Sequence, residues 1–535
     1  MKMVLRWQAA FLFGLLSLWM VSQVQAQQPT VVLSLKSVNE LLDDADFIGP
    51  EVGQVLSPKE FALSSISDFT GGKGLAGIDL EKPLGLYWNV SAAGQPEMPV
   101  VFLPISDEDA FKGLVKMLAP DLKETDGLWS MTAYGQRLFA EMANGYCFIS
   151  NSADVLAKTA DPKKIVNGKY DIALDVSIAS IPQQLKEVFL QQTEQQGRAG
   201  LENGPEPKSD AEKKGQELGF EWTLAALTAV VNEGDRMTLG FDVNSESRLA
   251  SIDFGLSGKS GTTLAKAMTA YGKTTPAFAA VATEDAPFRL VMSYPTTGML
   301  EKLDDLFTTM REAADDEIDK DEKLKDDADK QAAKDVAKRL FDIGQATIKT
   351  GSLHSVVVLD EGDDDTVLIV AGTRVAKGDD AGKLVDDIVK LSKENEDVAK
   401  VKIDVAKHAG ARIHAITGDL DEETTDLFGE GPGHLAVRAD SLWFSLGGGN
   451  LDALRKALDL SGKTVAKPGA PISLRVKPAT LVTLFVSDDA GLIERAEAIA
   501  GKPGDVLNVE IVPTPSGAKL HIEFGVDLFK LGIAE

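Results

Sequence analysis

Cysteine is almost absent from this sequence, since Cys147 is the only one among 535 residues. An internal disulfide is therefore excluded, and the stability of the fold has to come from packed apolar cores. Cys147 lies in the apolar run Tyr146-Cys147-Phe148-Ile149, where no neighbouring group lowers the pKa of a thiol. This environment predicts a buried structural thiol and not a nucleophile.

Positive charge and aromatic side chains are also scarce. The chain has 55 Lys and Arg against 82 Asp and Glu, which gives a formal net charge of −27. Such a surface repels phosphates, so neither nucleic acid nor anionic lipid is an expected partner. Six Trp and six Tyr leave few platforms on which sugars stack. The apolar fraction of 44% is nevertheless sufficient for folded cores.

Several motifs of catalysis and cofactor binding are missing. There is no Gly-x-Ser-x-Gly elbow, which argues against that class of hydrolase. Gly258-Lys259-Ser260 is similar to the end of a phosphate loop, but Asp253 stands where the first glycine is needed. With 82 acidic residues, no particular pair of carboxylates is singled out. No catalytic residue and no cofactor is therefore predicted.

One glycine pattern does match a nucleotide-binding fingerprint by its letters. Gly72–Gly77 has the spacing Gly-x-Gly-x-x-Gly. That motif needs a strand before it and a helix after it. Ser64–Thr70 has few strand-forming residues, and Pro83 prevents the following residues from continuing as a helix. The pattern predicts a loop without a nucleotide.

The histidines give little support for a metal site. His408 and His414 flank a predicted turn, but no third ligand follows from their spacing. No EF-hand loop occurs in the sequence. No metal is therefore predicted, although all five histidines lie in the second half of the chain: His354, His408, His414, His434 and His521.

The N-terminus is typical of a secretory signal. Lys2 and Arg6 are followed by the apolar run Ala9–Val21 and by the small residues of Val24-Gln25-Ala26. A membrane-spanning helix needs about 20 apolar residues, and this run is shorter. We expect residues 1–26 to be cleaved as a signal peptide. The mature protein is then exported to the periplasm or cell surface, with no later segment that spans a membrane.

The second half of the chain repeats the pattern of the first. Ile172–Val176 corresponds to Ile472–Val476, and Ile252–Leu256 corresponds to Ile522–Val526. The offset falls from 300 positions (472 minus 172) to 270 (522 minus 252). An insertion at about 191–219, rich in Gln, Glu, Gly, Lys and Pro, accounts for the difference and predicts a flexible, solvated loop.

Hairpins alternating with single helices predict an α+β fold. We expect two tandem duplicated domains, 27–275 and 284–535, each a largely antiparallel sheet with helices packed on one face. The acidic segment at about 303–349 predicts a pair of helices with one packed stripe and a solvated face. A role of this segment in weak binding of divalent cations or of a partner stays open.

The exported N-terminus, the run Asp79–Tyr87 and the strand Tyr146–Ser150 with its following helix resemble a class of large exported bacterial proteins of unknown function with duplicated α+β domains. This resemblance in layout implies a bacterial exported protein and assigns no catalytic residue. The first functional hypothesis is a non-enzymatic protein that binds or supports an unknown protein or small molecule. The alternatives are a periplasmic carrier of an apolar ligand and a hydrolase with dispersed catalytic residues; the oligomeric state is left open.

Overall fold

A computed structural model describes residues 29–532, except 55, 92–93, 134, 206, 208, 283–284, 297–299, 322–323, 325, 364–365, 395–399, 419–420, 464–469 and 487–488. The signal peptide expected at residues 1–26 lies outside the described residues. The rest of the chain mixes helices and strands and contains a large antiparallel sheet, which confirms the α+β composition.

The strands are defined by their backbone pairing. In chain order they are β1 Val31–Leu35, β2 Leu84–Trp88, β3 Val100–Pro104, β4 Lys123–Thr125, β5 Leu128–Ala133, β6 Gln136–Ala143, β7 Tyr146–Ser150, β8 Ile172–Ser177, β9 Gly234–Asn244, β10 Leu249–Gly258, β11 Phe288–Pro295, β12 Ser352–Glu361, β13 Val367–Arg374, β14 Lys400–His408, β15 Ala411–Thr417, β16 Gly433–Arg438, β17 Ser441–Leu446, β18 Ile472–Val476, β19 Leu507–Thr514 and β20 Gly517–Gly525.

The α-helices connect these strands. In chain order they are α1 Val38–Ile48, α2 Pro58–Phe69, α3 Glu108–Leu118, α4 Ala153–Leu156, α5 Pro162–Ile165, α6 Gln183–Glu202, α7 Asp210–Glu233, α8 Thr263–Lys273, α9 Leu300–Lys320, α10 Asp327–Ile348, α11 Gly378–Glu394, α12 Glu422–Phe428, α13 Asn450–Leu460, α14 Pro478–Phe485 and α15 Ala490–Glu497.

The described residues divide into two compact units. Unit 1 takes its residues from 1–195, 227–265 and 521–535, and unit 2 takes its residues from 196–226 and 266–520. These units do not contain the same residues as the predicted domains 27–275 and 284–535. The segment 196–226 groups with unit 2, and the C-terminal residues group with unit 1.

The strand pairs that define the order of each unit are antiparallel. Unit 1 has the order β4-β5-β6-β7-β3-β2-β1-β8-β9-β10. Unit 2 has the order β14-β15-β16-β17-β13-β12-β11-β18-β19. In each unit, therefore, the first strand lies between the second and the eighth, and the third lies beside the seventh.

Helices cover both faces of the sheet in unit 1, so the prediction of helices on one face is wrong. Tyr146 and Phe148 of β7 pack in a cluster with Leu156 of α4. Cys147 lies on the opposite face, in a cluster with Phe111 of α3 and with Trp129. The reason lies in β7 itself, because a continuous apolar run is typical of a strand that is buried on both faces.

Unit 2 is covered on both faces in the same way. Ala436 of β16 packs with Leu454 of α13. Its neighbour Val437 points to the other face, where it packs with Leu384 of α11 and Ile343 of α10. Successive side chains of a strand alternate between faces, so adjacent apolar residues require a helix on each side.

The insertion at 191–219 is mostly helical, which corrects the prediction of a solvated loop. Helices α6 and α7 cover 183–202 and 210–233. Gln, Glu and Lys are good helix formers, so a composition that is typical of loops also suits exposed helices. Gly197 has a packing role, since a Cβ at this position would lie 2.1 Å from the ring of Phe220. Among the described residues between these helices, Asn203-Gly204-Pro205, Pro207 and Ser209 are not helical.

The acidic segment forms α9 and α10, which pack against each other. The rings of Phe307 and Phe341 meet edge to face at 6.3 Å. Gly344 leaves room for Phe307, because a Cβ there would lie 2.4 Å from the ring. Lys334 Nζ and Asp319 Oδ1 are 2.6 Å apart at the surface.

Candidate functional site

Unit 2 contains an open cleft of about 730 Å³. One wall is the end of α8 with the loop that follows it, and a second wall is the turn after α13. The floor is formed by the ends of β11, β12 and β13 and by the turn between β16 and β17. The cleft therefore lies at one end of the sheet, beside the apolar core of the unit.

The alternation of the strands explains why this end of the sheet is polar. Val356 and Val358 of β12 pack in the core beneath α13. Ser352 and His354 lie on the same face of β12, four and two residues before Val356 respectively. Because α13 ends at Leu460, this part of the face is left to line the cleft.

A tight turn places Ser352 at the start of β12. Gly351 has a φ of 93°, which favours glycine, and its N–H donates to the carbonyl of Ile348 at the end of α10. Thr296 donates its backbone N–H to the carbonyl of Gly351. Ser352 is therefore fixed between α10 and the strand β11.

The cleft is cationic, although the chain is strongly acidic. Among the described residues, it is lined by Lys273, Arg374, Arg438 and Lys463 and by one acidic group, Asp440. The net charge of the chain is −27. A concave surface that concentrates one sign of charge attracts ligands of the other sign.

Arg438 is held in place by polar contacts at the edge of the cleft. Its Nε donates to Asp440 Oδ1 at 2.6 Å, and its Nη1 donates to Ser461 Oγ at 3.2 Å. Burial alone would raise the pKa of Asp440, but the hydrogen bond and charge of Arg438 lower it below the ordinary value. Asp440 is therefore ionised, and the four basic side chains leave a net positive charge.

His354 joins two serines beside this charge. Ser352 Oγ lies 2.8 Å from His354 Nε2, and Ser293 Oγ lies 2.8 Å from His354 Nδ1. Ser293 is directly opposite His354 in the pairing of β11 with β12. Burial and then the positive charge of Arg374 lower the pKa of His354. The imidazole is therefore neutral at pH 7, with one nitrogen free to accept a proton.

From the sequence, His354 was one of five histidines without an assigned role, and its two serine partners were not predicted. Ser352-Leu353-His354 does place a hydroxyl and an imidazole on one face of a strand. Ser293 lies 61 residues away, and only the strand register brings it to His354. Arg374 and Arg438 were missed for the same reason.

The other histidines of unit 2 have separate partners. His408 Nε2 lies 2.9 Å from Asp459 Oδ1. His414 is fully buried, and its Nδ1 accepts a hydrogen bond of 3.2 Å from the amide of Asp404. His434 Nδ1 contacts Asn450 Oδ1. Within the described residues, no three His, Cys, Asp or Glu side chains are placed to hold a metal ion.

The glycine motif Gly72–Gly77 and Cys147 have the local structures that the sequence predicts, a loop and a buried strand position. Gly72–Gly77 forms turns directly after α2 and has no strand before it. Cys147 is fully buried, and this burial raises the pKa of its thiol to about 12. The glycine motif is therefore a loop, and Cys147 is a core residue.

Unit 1 contains a second polar cluster around the buried carboxylate of Asp253. Its Oδ1 lies 2.6 Å from His521 Nδ1. Its Oδ2 accepts from Tyr170 Oη at 2.7 Å and from Lys169 Nζ at 3.0 Å. The ring of Tyr170 packs over Gly240, where a Cβ would lie 2.5 Å from it. Both oxygens of Asp253 are used by the protein, so the cluster stabilises unit 1 and offers no open ligand position.

Comparisons of the chain with protein-family models, with curated proteins and with solved structures found no match. None of the described helices combines the length and the apolar character that crossing a membrane requires. The cleft of unit 2 is therefore the basis for a functional proposal.

Proposed function

We propose that this is an exported binding protein and that the cleft of unit 2 binds a small anionic molecule. The observation that carries the proposal is the collection of Lys273, Arg374, Arg438 and Lys463 around one cleft. In a chain with a net charge of −27, this cleft is where an anion gains attraction. Arginine suits this role, because its planar guanidinium binds carboxylate and phosphate groups through two parallel hydrogen bonds.

The volume of the cleft and the apolar part of its wall restrict the class of ligand that fits. A volume of about 730 Å³ lies within the range of roughly 300–1,000 Å³ that is typical of small-molecule sites. Ala270, Ala277 and Pro295 are partly exposed and supply apolar surface beside the basic side chains. The matching ligand carries a carboxylate or phosphate group on an apolar body.

Phenyl phosphate is a suitable probe, with phenol as its uncharged counterpart. We expect the full chain to bind phenyl phosphate in calorimetric titrations and to bind phenol much more weakly. Arg374→Gln combined with Arg438→Gln should raise the Kd for phenyl phosphate by about tenfold or more, since each removes a charge-assisted contact.

Arg455→Gln is the matched control for this pair. Arg455 lies on α13 outside the cleft and forms an exposed ion pair with Asp452 at 2.9 Å. Its replacement should leave the Kd unchanged. Equal binding of phenol and phenyl phosphate, or an unchanged Kd in the double variant, would contradict the proposal.

We also infer that the two units are copies of one ancestral domain. Their strands follow one order, with the first strand between the second and the eighth. The sequence echo Ile172–Val176 and Ile472–Val476 falls on β8 and β18, which are the eighth strands of the two units. Agreement of order and of sequence at the same strand supports duplication. The acidic helices α9 and α10 then follow the first strand of unit 2, as α1 follows β1 in unit 1.

A further inference from the structure

The hydroxyl of Ser352, in the cationic cleft, contacts the imidazole of His354. We infer that Ser352 is a nucleophile, that His354 is its general base, and that the cleft hydrolyses carboxylic esters that carry an anionic group. This inference rests on the proposed anion site, because the anionic group is what holds the ester beside Ser352.

The geometry meets the first requirement for an activated serine. Ser352 Oγ is 2.8 Å from His354 Nε2, which is within reach for direct proton transfer. Ser352 and His354 both line the cleft, but His354 is buried, with only 6% of its surface exposed. A substrate therefore reaches the hydroxyl while the ring is shielded from bulk water.

The second requirement is an imidazole with its proton on the nitrogen that faces away from the serine nucleophile. When the proton is on Nδ1, that nitrogen donates to Ser293 Oγ, and Nε2 accepts the proton of Ser352. Ser293 is completely buried, so the ring is held in one orientation from behind. Ser293 is thus a positioning residue, which acts through His354.

The third requirement is stabilisation of negative charge. Arg374 and Arg438 line the same cleft as Ser352. Positive groups in a preformed site stabilise both a bound anion and the oxyanion that develops when an ester carbonyl is attacked. Esters with a carboxylate or phosphate group are therefore favoured over neutral esters.

The reaction balances without a further cofactor. Ser352 Oγ bonds to the carbonyl carbon and its proton passes to His354 Nε2. The bond from the carbonyl carbon to the alcohol oxygen then breaks, and the alcohol leaves with that proton. In the second half of the reaction, a water oxygen bonds to the acyl carbon and one water proton passes to His354 Nε2. The bond between the acyl carbon and Ser352 Oγ then breaks, Nε2 returns the proton to Oγ, and the acid is released.

A fluorophosphonate ester tests the nucleophile directly, because it forms a stable phosphorus–oxygen bond to an activated serine and releases fluoride. We expect one phosphonyl group per full chain by mass spectrometry, on the peptide that contains Ser352. Ser352→Ala should abolish labelling, and His354→Gln should lower its rate constant about 100-fold. Ser293→Ala should lower the rate constant while the Kd for phenyl phosphate stays the same.

Ser355→Ala is the matched control for these variants. Ser355 lies on the opposite face of β12, where its Oγ is 3.0 Å from Thr373 Oγ1. This variant should be labelled like the parent chain. Circular dichroism and thermal melting of every variant identify any loss that comes from misfolding.

Turnover provides the second measurement. 4-Nitrophenyl hydrogen succinate should be hydrolysed faster than the neutral 4-nitrophenyl butyrate, and the double arginine variant should lose this preference. If phenyl phosphate binds but Ser352 is not labelled, the inference is overturned and the binding proposal stands. If Ser352 is labelled while the arginine variants change neither Kd nor ester preference, the anionic specificity and the proposed binding function are overturned together.

Discussion

At the scale of single residues, Asp44 of unit 1 has a strongly shifted pKa. Its Oδ2 is buried and accepts no hydrogen bond within the described residues. The buried carboxylate of Asp171 lies nearby, where it binds Lys36 Nζ at 3.3 Å and the amide of Val243 at 2.7 Å. Burial, followed by the charges of Asp171 and Glu40, raises the pKa of Asp44 to about 7.

This raised pKa predicts a pH dependence of stability. The folded chain holds a proton on Asp44 up to about pH 7, whereas the unfolded chain releases it near the ordinary value of 3.8. The folded state therefore binds more protons between these values, and the free energy of unfolding falls as the pH rises through them. Asp44→Asn should remove this loss and be more stable than the parent chain at pH 8 by about 1 kcal/mol.

The measurement is chemical unfolding of unit 1 at pH 4 and at pH 8. The two chains should differ much less at pH 4, which lies close to the ordinary value of 3.8, because only about half of the unfolded chains have then released the proton of Asp44. Asp68→Asn, an exposed site on α2, serves as the control for the removal of one carboxylate from the surface. A benefit of Asp44→Asn that is equal at both pH values would contradict the assignment.

At the scale of elements, two glycines in α6 and α7 should respond in opposite directions to replacement by alanine. Gly197 lies against the ring of Phe220, so that an added Cβ would be 2.1 Å from the ring. A Cβ added to Gly215 would meet no atom within 4 Å outside the backbone of its own helix. Gly197→Ala should therefore destabilise this helix pair by about 1–3 kcal/mol through overpacking. Gly215→Ala should stabilise the same pair by up to about 1 kcal/mol through helix propensity. Denaturant unfolding of the two variants side by side checks both signs, and a gain for Gly197→Ala would contradict the packing described.

The elements that the sequence predicted well are those with a strong local pattern. The apolar run of β7 and the turn after α2 follow from neighbouring residues alone, and so does the burial of Cys147. Contacts across strands are different, because Ser293 meets His354 only through the register of β11 with β12. The cleft depends on several such registers, so its basic residues were not predictable as a group. Helices α6 and α7 were missed because polar composition is shared by loops and exposed helices.

At the scale of the whole molecule, export remains the central prediction about the mature chain. Cleavage after Ala26 leaves Gln27 as the first residue. Protein secreted from a bacterial host should therefore show the intact mass of the chain from Gln27. Replacing two residues of the apolar run, for example Leu15→Arg with Leu16→Arg, should retain the full-length chain inside the cell. An exported chain that keeps residues 1–26 would contradict the signal-peptide assignment.

The buried thiol described in β7 has a practical consequence for following the opening of the protein. Cys147 is the only cysteine in the chain, it lies in unit 1, and its thiol is protonated at neutral pH. An alkylating reagent therefore reaches it only during excursions that expose the core of unit 1. The rate at which Cys147 is alkylated therefore reports how often the core of unit 1 opens. A cysteine introduced on the surface would be alkylated far faster, because it needs no such opening.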